Sequence, residues 1–411
     1  NKENALIQGN VALKGTKQDC SDDICKFSDL INEGTITGDV TNDTGKEINL
    51  VENTGTIGGS IANSGSINIF EVSGTIAHGI LNDTNASISS ITINKGANLG
   101  NSGITNNSNI GTFIVKESVS YNGNGNDRIT QALEVAKDKT LTIGNSGTLS
   151  FNSKNGSVNN LGTIAGNLAN VKDSIITSFK NSGTISGNLY NDGHIDTLSN
   201  TGTMGTIYNT SKETIVALGN GKGATIEAVN NTGNINIITN DGTINGQITS
   251  QNNSEIKEIR IGEDGIVNAK GTLDSSNMQD TSNDAVSLDT INTTLIHNQG
   301  TIQGNVRVVG QGSVIGEITN QDTISGCILV DGGSIGNINN TNGAIANCMS
   351  FSNGADVGGL NNDGTISGTI TNDSGSITID NSGSIGGITT SGGGNTTIIN
   401  GGMDKPGGNI G

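Results

Sequence analysis

One unit, N-x-G-[ST]-I-x-G-x-I, returns along most of the chain, and a unit this short and regular leaves few folds open. In the stretch NSGTISGNLYNDGHIDTLSNTGTMGTIYN, asparagine stands at 181, 191, 200 and 209. Gly183, Gly193 and Gly202 follow the first three, then Ile185, Ile195 and Met204, then Leu189, Leu198 and Ile207. The unit recurs at Asn53, Asn63, Asn231, Asn240, Asn298, Asn362 and Asn381. A period of this kind is explained before any single residue.

Isoleucine set among small polar residues at spacings of two or four is strand periodicity, and Ile, Val and Thr suit strands. Asn-x-Gly reads as the corner, because glycine takes positive φ freely and asparagine tolerates the left-handed region. Two units make the larger period. The step from Gly34 to Gly55 and from Gly162 to Gly183 is 21 residues; from Gly55 to Gly74 and from Gly364 to Gly383 it is 19. A flat antiparallel meander leaves one face bare and does not account for this doubling. The expected fold is therefore all-β: a right-handed parallel β-helix with coils of about 20 residues. Apolar residues of successive coils form interior rows, and the corner asparagines stack as amide ladders.

Composition agrees. Only 31% of residues are hydrophobic and 2% aromatic, thin for a globule of 411 residues but enough for a narrow aliphatic column. The single proline is Pro406, as a continuous ladder of backbone donors requires. The 63 glycines have no G-X-Y period, which excludes collagen. A net charge of −18 with three arginines, Arg128, Arg260 and Arg307, disfavours nucleic acid and anionic membrane surfaces as partners. No apolar run approaches the roughly 20 residues of a membrane helix.

Departures from the repeat divide the chain. Residues 1–31 are expected to form a first coil and an N-terminal cap. There SDDICKFSDLI spaces Ile24, Phe27, Leu30 and Ile31 as on a short helix. The β-helix is expected over 32–399, interrupted by two extruded segments. In 113–140, DRITQALEVAKDK puts Ile129, Ala132, Leu133 and Ala136 on one helical face. In 274–289, DSSNMQDTSNDAVSLD is acidic and carries no strand pattern. Residues 400–411 read as a frayed tail, cut from a longer chain.

Four cysteines are present. Cys327 and Cys348 lie 21 apart, one coil, which puts them on adjacent rungs within disulfide range. Cys20 and Cys25 would close a short loop. Two disulfides, Cys20–Cys25 and Cys327–Cys348, and an oxidising compartment are expected. Cys-x4-Cys far from Cys-x20-Cys is a poor zinc pattern.

The tandem N-x-G-T-I-x-G-x-I units in an acidic, proline-poor chain resemble the passenger domains of bacterial autotransporters, the AIDA-like adhesins and the Campylobacter and Helicobacter surface passengers above all. The likeness covers about four-fifths of the chain and lies in the repeats. It implies a secreted rod held at the bacterial cell surface by a C-terminal outer-membrane barrel, which this chain does not include.

Chemistry is sparse. Asp373-Ser374-Gly375 looks like a serine-protease nucleophile segment, but the repeat generates the same letters at 63–67 and 381–385, and a triad needs a His and an Asp held against the serine. His78, His194 and His297 sit at variable repeat positions, where solvated strand residues are the plain reading. β-Helix polysaccharide enzymes need converging carboxylates, whereas Asp and Glu here are scattered at turns. Phe70, Phe113, Tyr121 and Phe151 are either sugar-stacking platforms or interior residues. Gly-Asn-Gly-Asn-Asp at 123–127 misses the calcium repeat. Asp83–Ser87 fits an acidic glycosylation sequon at Asn85 that an Asn- and Ser-rich chain produces by coincidence.

The expected function is a non-enzymatic adhesin without cofactor or metal, attaching to a host-cell receptor, matrix protein or glycan. Self-association into aggregates is the alternative, ahead of a polysaccharide-active enzyme or toxin. Loops on a rigid scaffold carry specificity. The binding residues are therefore expected in the second extruded segment, at Asp274, Met278, Asp280, Asp284 and Asp289.

Overall fold

In the computed structural model, residues 1–14, 25–144, 147–210, 214–271, 277, 279–345, 347–401 and 406–411 are described, and they fall into two compact units, Asn1–His194 and Ile195–Gly411. Each unit is a stack of parallel coils of roughly 21 residues, a β-solenoid.

A coil has three faces, seen plainly in the second unit. The first is a two-residue strand, as Thr225–Ile226 and Thr243–Ile244; the second has three residues, as Ile207–Asn209 and Val229–Asn231; the third has seven, as Thr214–Asn220 and Asn234–Asn240. The seven-residue face buries positions two, five and seven. Stacking in register then builds rows: Ile215 on Ile235 on Ile256, and Leu218 on Ile238 on Ile259. In the first unit Ile48, Ile67, Ile88, Ile110 and Ile129 form one row; Val51, Phe70, Ile91, Phe113 and Leu133 form the next. All are 0–1% exposed. Burying each such side chain contributes about 1.5–3 kcal/mol, so a narrow column is core enough.

The repeat asparagines do not sit in the left-handed region; their side chains turn inward. Asn200 Nδ2 donates to Asn220 Oδ1 (2.9 Å), and Asn220 to Asn240 (2.7 Å). The longest run is Asn298, Asn320, Asn340, Asn362, Asn381 and Asn400, at 2.8–3.1 Å. Most rungs also give Nδ2 to a backbone carbonyl of the next coil, as Asn220 does to Thr243. The ladder has a direction, since each amide donates toward the C-terminal side. The first rung of a run therefore has an idle acceptor. Oδ1 of Asn42, Asn160, Asn170 and Asn298 finds no partner among the described residues. The rung before each is apolar: Leu13, Val135, Phe151 and Ile261.

The repeat glycines also differ from expectation. Gly55, Gly183 and Gly383 do not take positive φ; a Cβ there would overlap the carbonyl oxygen of Gly34, Gly162 and Gly364 in the neighbouring coil. Glycine is required by the close approach of coils, not by a left-handed corner.

Two expected helices are strands. Cys25–Asn32 pairs in parallel with Lys46–Asn53, Asn32 opposite Asn53. Residues 15–24, with Cys20 and the proposed Cys20–Cys25 bridge, lie outside the described residues. Segment 113–140 is not extruded. Asn109–Val115, Val119–Gly123, Arg128–Val135 and Thr140–Ile143 all pair in the stack. A face that buries Ile129 and then Leu133 places its apolar residues four apart, which in sequence counts as a helix. Near the C-terminal end, Asn409–Ile410 is not frayed but pairs with Ser384–Ile385. The bridge Cys327–Cys348 is present, joining neighbouring coils with Cα atoms 4.5 Å apart.

Candidate functional site

Segment 274–289 is the second expected excursion, and its part Asp284–Thr290 stays in the stack. Val267 still pairs with Ile302. After Ala269 the chain departs, and it is closed at its base by two bonds: Lys270 N–H to Asp284 O (3.1 Å) and Gly271 N–H to Ser282 O (2.9 Å). Asp284–Thr290 is a core strand, with Val286 opposite Ile248 and Leu288 opposite Ser250. The inserted residues make the step from Ile248 to Val286 much longer than an ordinary coil.

Of the expected binding residues, Asp274 and Met278 lie outside the described residues. Asp280 is exposed and caps the 3-10 turn Thr281–Asn283 by accepting from Ser282 N–H (2.9 Å). Asp289 is half-buried on the strand. Asp284 is a correction: it is 1% exposed and faces inward. Its Oδ2 accepts from Arg307 Nε (2.7 Å) and its Oδ1 from Asn305 Nδ2 (3.2 Å). Burial pushes the Asp284 carboxyl up from its ordinary value, against the lowering effect of Arg307 and Asn305. Arg307 also donates through Nη2 to Gln279 O (2.9 Å), and Asn283 Nδ2 to Asn277 O (2.8 Å). Arg307 thus joins two neighbouring core strands through Asp284 and reaches the excursion through Gln279 O. In sequence, Arg307 stood out only as one of three arginines.

Beside this tie lies a cleft of about 750 Å³, lined by Asn245, Asn268, Ala269, Lys270, Gly271, Thr301, Gln303, Thr323 and Ser325. Asn268 and Gln303 are direct register partners, and the flanking pairs Ile244–Val267 and Ile302–Ile324 set Asn245 and Ser325 on the same row. Four successive coils thus each give one polar side chain to the floor, about 4.8 Å apart. Lys270 stands where the excursion leaves. Lys270, Asn268, Thr301 and Gln303 make no side-chain hydrogen bond or ion pair among the described residues. Asn245 is partly committed, donating to Glu227 Oε2 (3.3 Å). The lining has one cation and no carboxylate, in a chain of net charge −18.

The other interruption, in the first unit, is a change of face. The two-residue face Thr35–Ile36, Thr56–Ile57, Thr75–Ile76 ends at a bridge from Thr75 to Asn98. The three-residue face continues from Ile104–Asn106 through Val119–Gly123 and Thr140–Ile143 into Thr163–Ala165, a strand of the two-residue kind. Arg128–Val135 meanwhile pairs with both Thr148–Phe151 and Gly156–Asn160. A smaller cleft of about 230 Å³ marks the place, lined by Asn98, Gly100, Ser118, Ser120, Thr140, Thr142 and their neighbours. Beside it Glu117 holds Lys139 at 2.6 Å. That contact and the N–H groups of Gly96 and Ser118 lower the Glu117 carboxyl to about 2.

The remaining candidates are structural. Phe70, Phe113, Tyr121 and Phe151 are 0% exposed and fill the core, so none is a sugar platform. Ser374 Oγ accepts from Gly354 N–H, and His297 shares a bond with Gln321. Among the described residues no group of three His, Cys, Asp or Glu is placed to hold a metal ion.

The chain matches no protein-family model, no curated protein and no solved structure.

Proposed function

We propose that the chain is a non-enzymatic adhesin passenger of the autotransporter type, displayed at the bacterial surface and attaching to host cells or matrix through the cleft beside the excursion. The observation that supports this reading is the set of four uncommitted polar side chains, Lys270, Asn268, Thr301 and Gln303, gathered around one cleft of the stack. Buried polar groups among the described residues are paired almost throughout; open donors and acceptors beside a lengthened coil fit a ligand-binding role. A lining without carboxylates favours binding over glycoside hydrolysis, which needs two of them.

The test is attachment. Beads coated with the chain should bind host cells or matrix, and the triple variant Asn268→Ala, Lys270→Ala, Gln303→Ala should lose most of that binding with an unchanged melting curve. Equal attachment by parent and variant refutes the cleft. No attachment to any cell or matrix surface refutes the adhesin reading.

A further inference from the structure

The cleft's chemistry narrows its ligand, if the binding role proposed above is granted. Its floor is a row of side-chain amides and hydroxyls, Asn268, Gln303 and Ser325 with Thr301 beside them, on successive coils. The backbone beneath is fully engaged: Thr243–Ile244, Ile266–Asn268, Thr301–Gln303 and Thr323–Ile324 each pair with the next. An extended peptide therefore finds no free strand edge to join. Nor are there apolar or aromatic pockets for its side chains, because the lining offers only Ala269 in that class and it is buried. What the floor offers is hydrogen-bond donors and acceptors about every 4.8 Å, which suits a linear polymer rich in hydroxyl groups.

Lys270 adds a charge. It is exposed, and it has no acidic partner among the described residues. Six lysines and arginines elsewhere among the described residues are in ion pairs. Among the described residues, Asp284 is bound to Arg307, Asp280 caps its turn, and Glu227 receives Asn245.

We infer that the cleft along Asn245, Asn268, Gln303 and Ser325 binds an acidic oligosaccharide, with a sugar carboxylate on Lys270 and sugar hydroxyls on the amide row. The carboxylate accepts from the Lys270 ammonium, and the amides of Asn268 and Gln303 both donate and accept, as vicinal hydroxyls require.

Calorimetric titration of the whole chain with a defined oligouronate, and with the same oligosaccharide after its carboxyls are reduced to alcohols, tests this. The oligouronate should bind and the reduced sugar should bind about tenfold more weakly or less, since a hydrogen bond to a charged group is worth about that factor. Lys270→Gln should erase the difference between the two sugars, Lys270→Arg should keep most of it, and Gln303→Ala should weaken both equally. Equal binding of both sugars by the parent, or a Lys270→Gln variant that still discriminates, overturns the inference. So does a parent that binds neither sugar. The outcomes separate from the adhesin reading: a parent that attaches to cells but binds neither sugar loses this ligand class and keeps its attachment role. Binding of an acidic peptide in place of the oligouronate also overturns it.

Discussion

Two interruptions of the repeat, expected from sequence as extruded segments at 113–140 in the first unit and 274–289 in the second, differ in structure. The first is absorbed. Its strands stay in the stack, the faces shift by one place, and the asparagine run Asn42, Asn63, Asn82, Asn106 is closed by other chemistry. Asn106 Nδ2 donates to Tyr121 Oη (2.9 Å), and Tyr121 donates to Asp127 Oδ2 (2.8 Å). The ladder's flow of donors ends on a carboxylate only 1% exposed, and burial beside that carboxylate pushes the Tyr121 phenol well up. The second interruption is expelled. After Ala269, Lys270 and Gly271 donate their N–H groups to Asp284 O and Ser282 O, and the stack resumes with Asp284–Thr290. A segment that supplies inward residues at coil spacing becomes a coil; one that does not is placed outside and needs a tether.

The largest difference should appear on deletion. Removing 129–133 takes out Ile129 and Leu133, both 0% exposed, and throws the following residues out of alternation with the core. It is expected to abolish the cooperative melt of the first unit, read by far-UV circular dichroism. Removing five residues from the excursion, 272–276, leaves both base hydrogen bonds and the strand Asp284–Thr290 in place, so the melt should not move. Deleting all of 274–289 would remove a core strand and is not a loop deletion. An excursion deletion that unfolds the chain would overturn the contrast.

Next in size is the tether. Arg307→Met strands a buried carboxylate, and breaking such a pair costs about 3–5 kcal/mol. Tyr121→Phe takes a donor from Asp127 and an acceptor from Asn106 and is expected to cost about 1–3 kcal/mol. Urea melts of the two variants give the order. A Tyr121→Phe loss exceeding that of Arg307→Met would mean that the absorbed break, not the expelled one, carries the more costly buried charge.

The ladder itself offers a finer test. Asn320 accepts from Asn298 and donates to Asn340, whereas Asn298 only donates along the ladder. Asn320→Ala leaves unmatched groups on two neighbours and Asn298→Ala on one. With each unmatched buried group costing about 1–3 kcal/mol, the interior substitution should be the more destabilising in matched urea melts. Equal losses would show that direction along the ladder has no energetic meaning.

How much of this could be read from the letters depends on what the repeat encodes. The coil, its length and the Cys327–Cys348 rung were legible because each is a period, and a period survives without coordinates. The role of the corner residues was legible only in part. Asn-x-Gly has the same letters whether glycine serves φ or close approach, and Gly183 against Gly162 is decided by the neighbouring coil. The two false helices arose because the long face buries residues three or four apart, the spacing of a helix surface. The cleft was not legible. Lys270, Asn268 and Gln303 lie in ordinary repeat letters, and only the register that stacks Asn268 on Gln303, with Lys270 at the exit, brings them together. Asp284 misled for the complementary reason: its partner Arg307 is one coil away, and no local pattern marks the pair.

The smallest expected effect concerns acid and belongs to the absorbed break alone. Glu117 sits where the faces exchange, about a quarter exposed, and its carboxyl is lowered from 4.5 to about 2, chiefly by the hydrogen bond from Lys139 and then by the N–H groups of Gly96 and Ser118. Between those two values the unfolded chain holds a proton at this site that the folded chain does not, so stability rises with pH across that window. The contribution of Glu117 is full above about 4.5 and fades as the pH falls toward about 2. Glu117→Gln keeps the shape and removes the titration. Its melting temperature should lie slightly below the parent's at neutral pH and converge on it as the pH falls through that window. Asp284, on the core strand at the base of the excursion, is pushed the other way and should contribute no such loss on acidification, since a raised carboxyl destabilises as the pH rises through its folded value. Parallel curves for parent and Glu117→Gln from pH 6 to 2 would show that the Lys139 contact is a surface pair without weight in holding the shifted faces together.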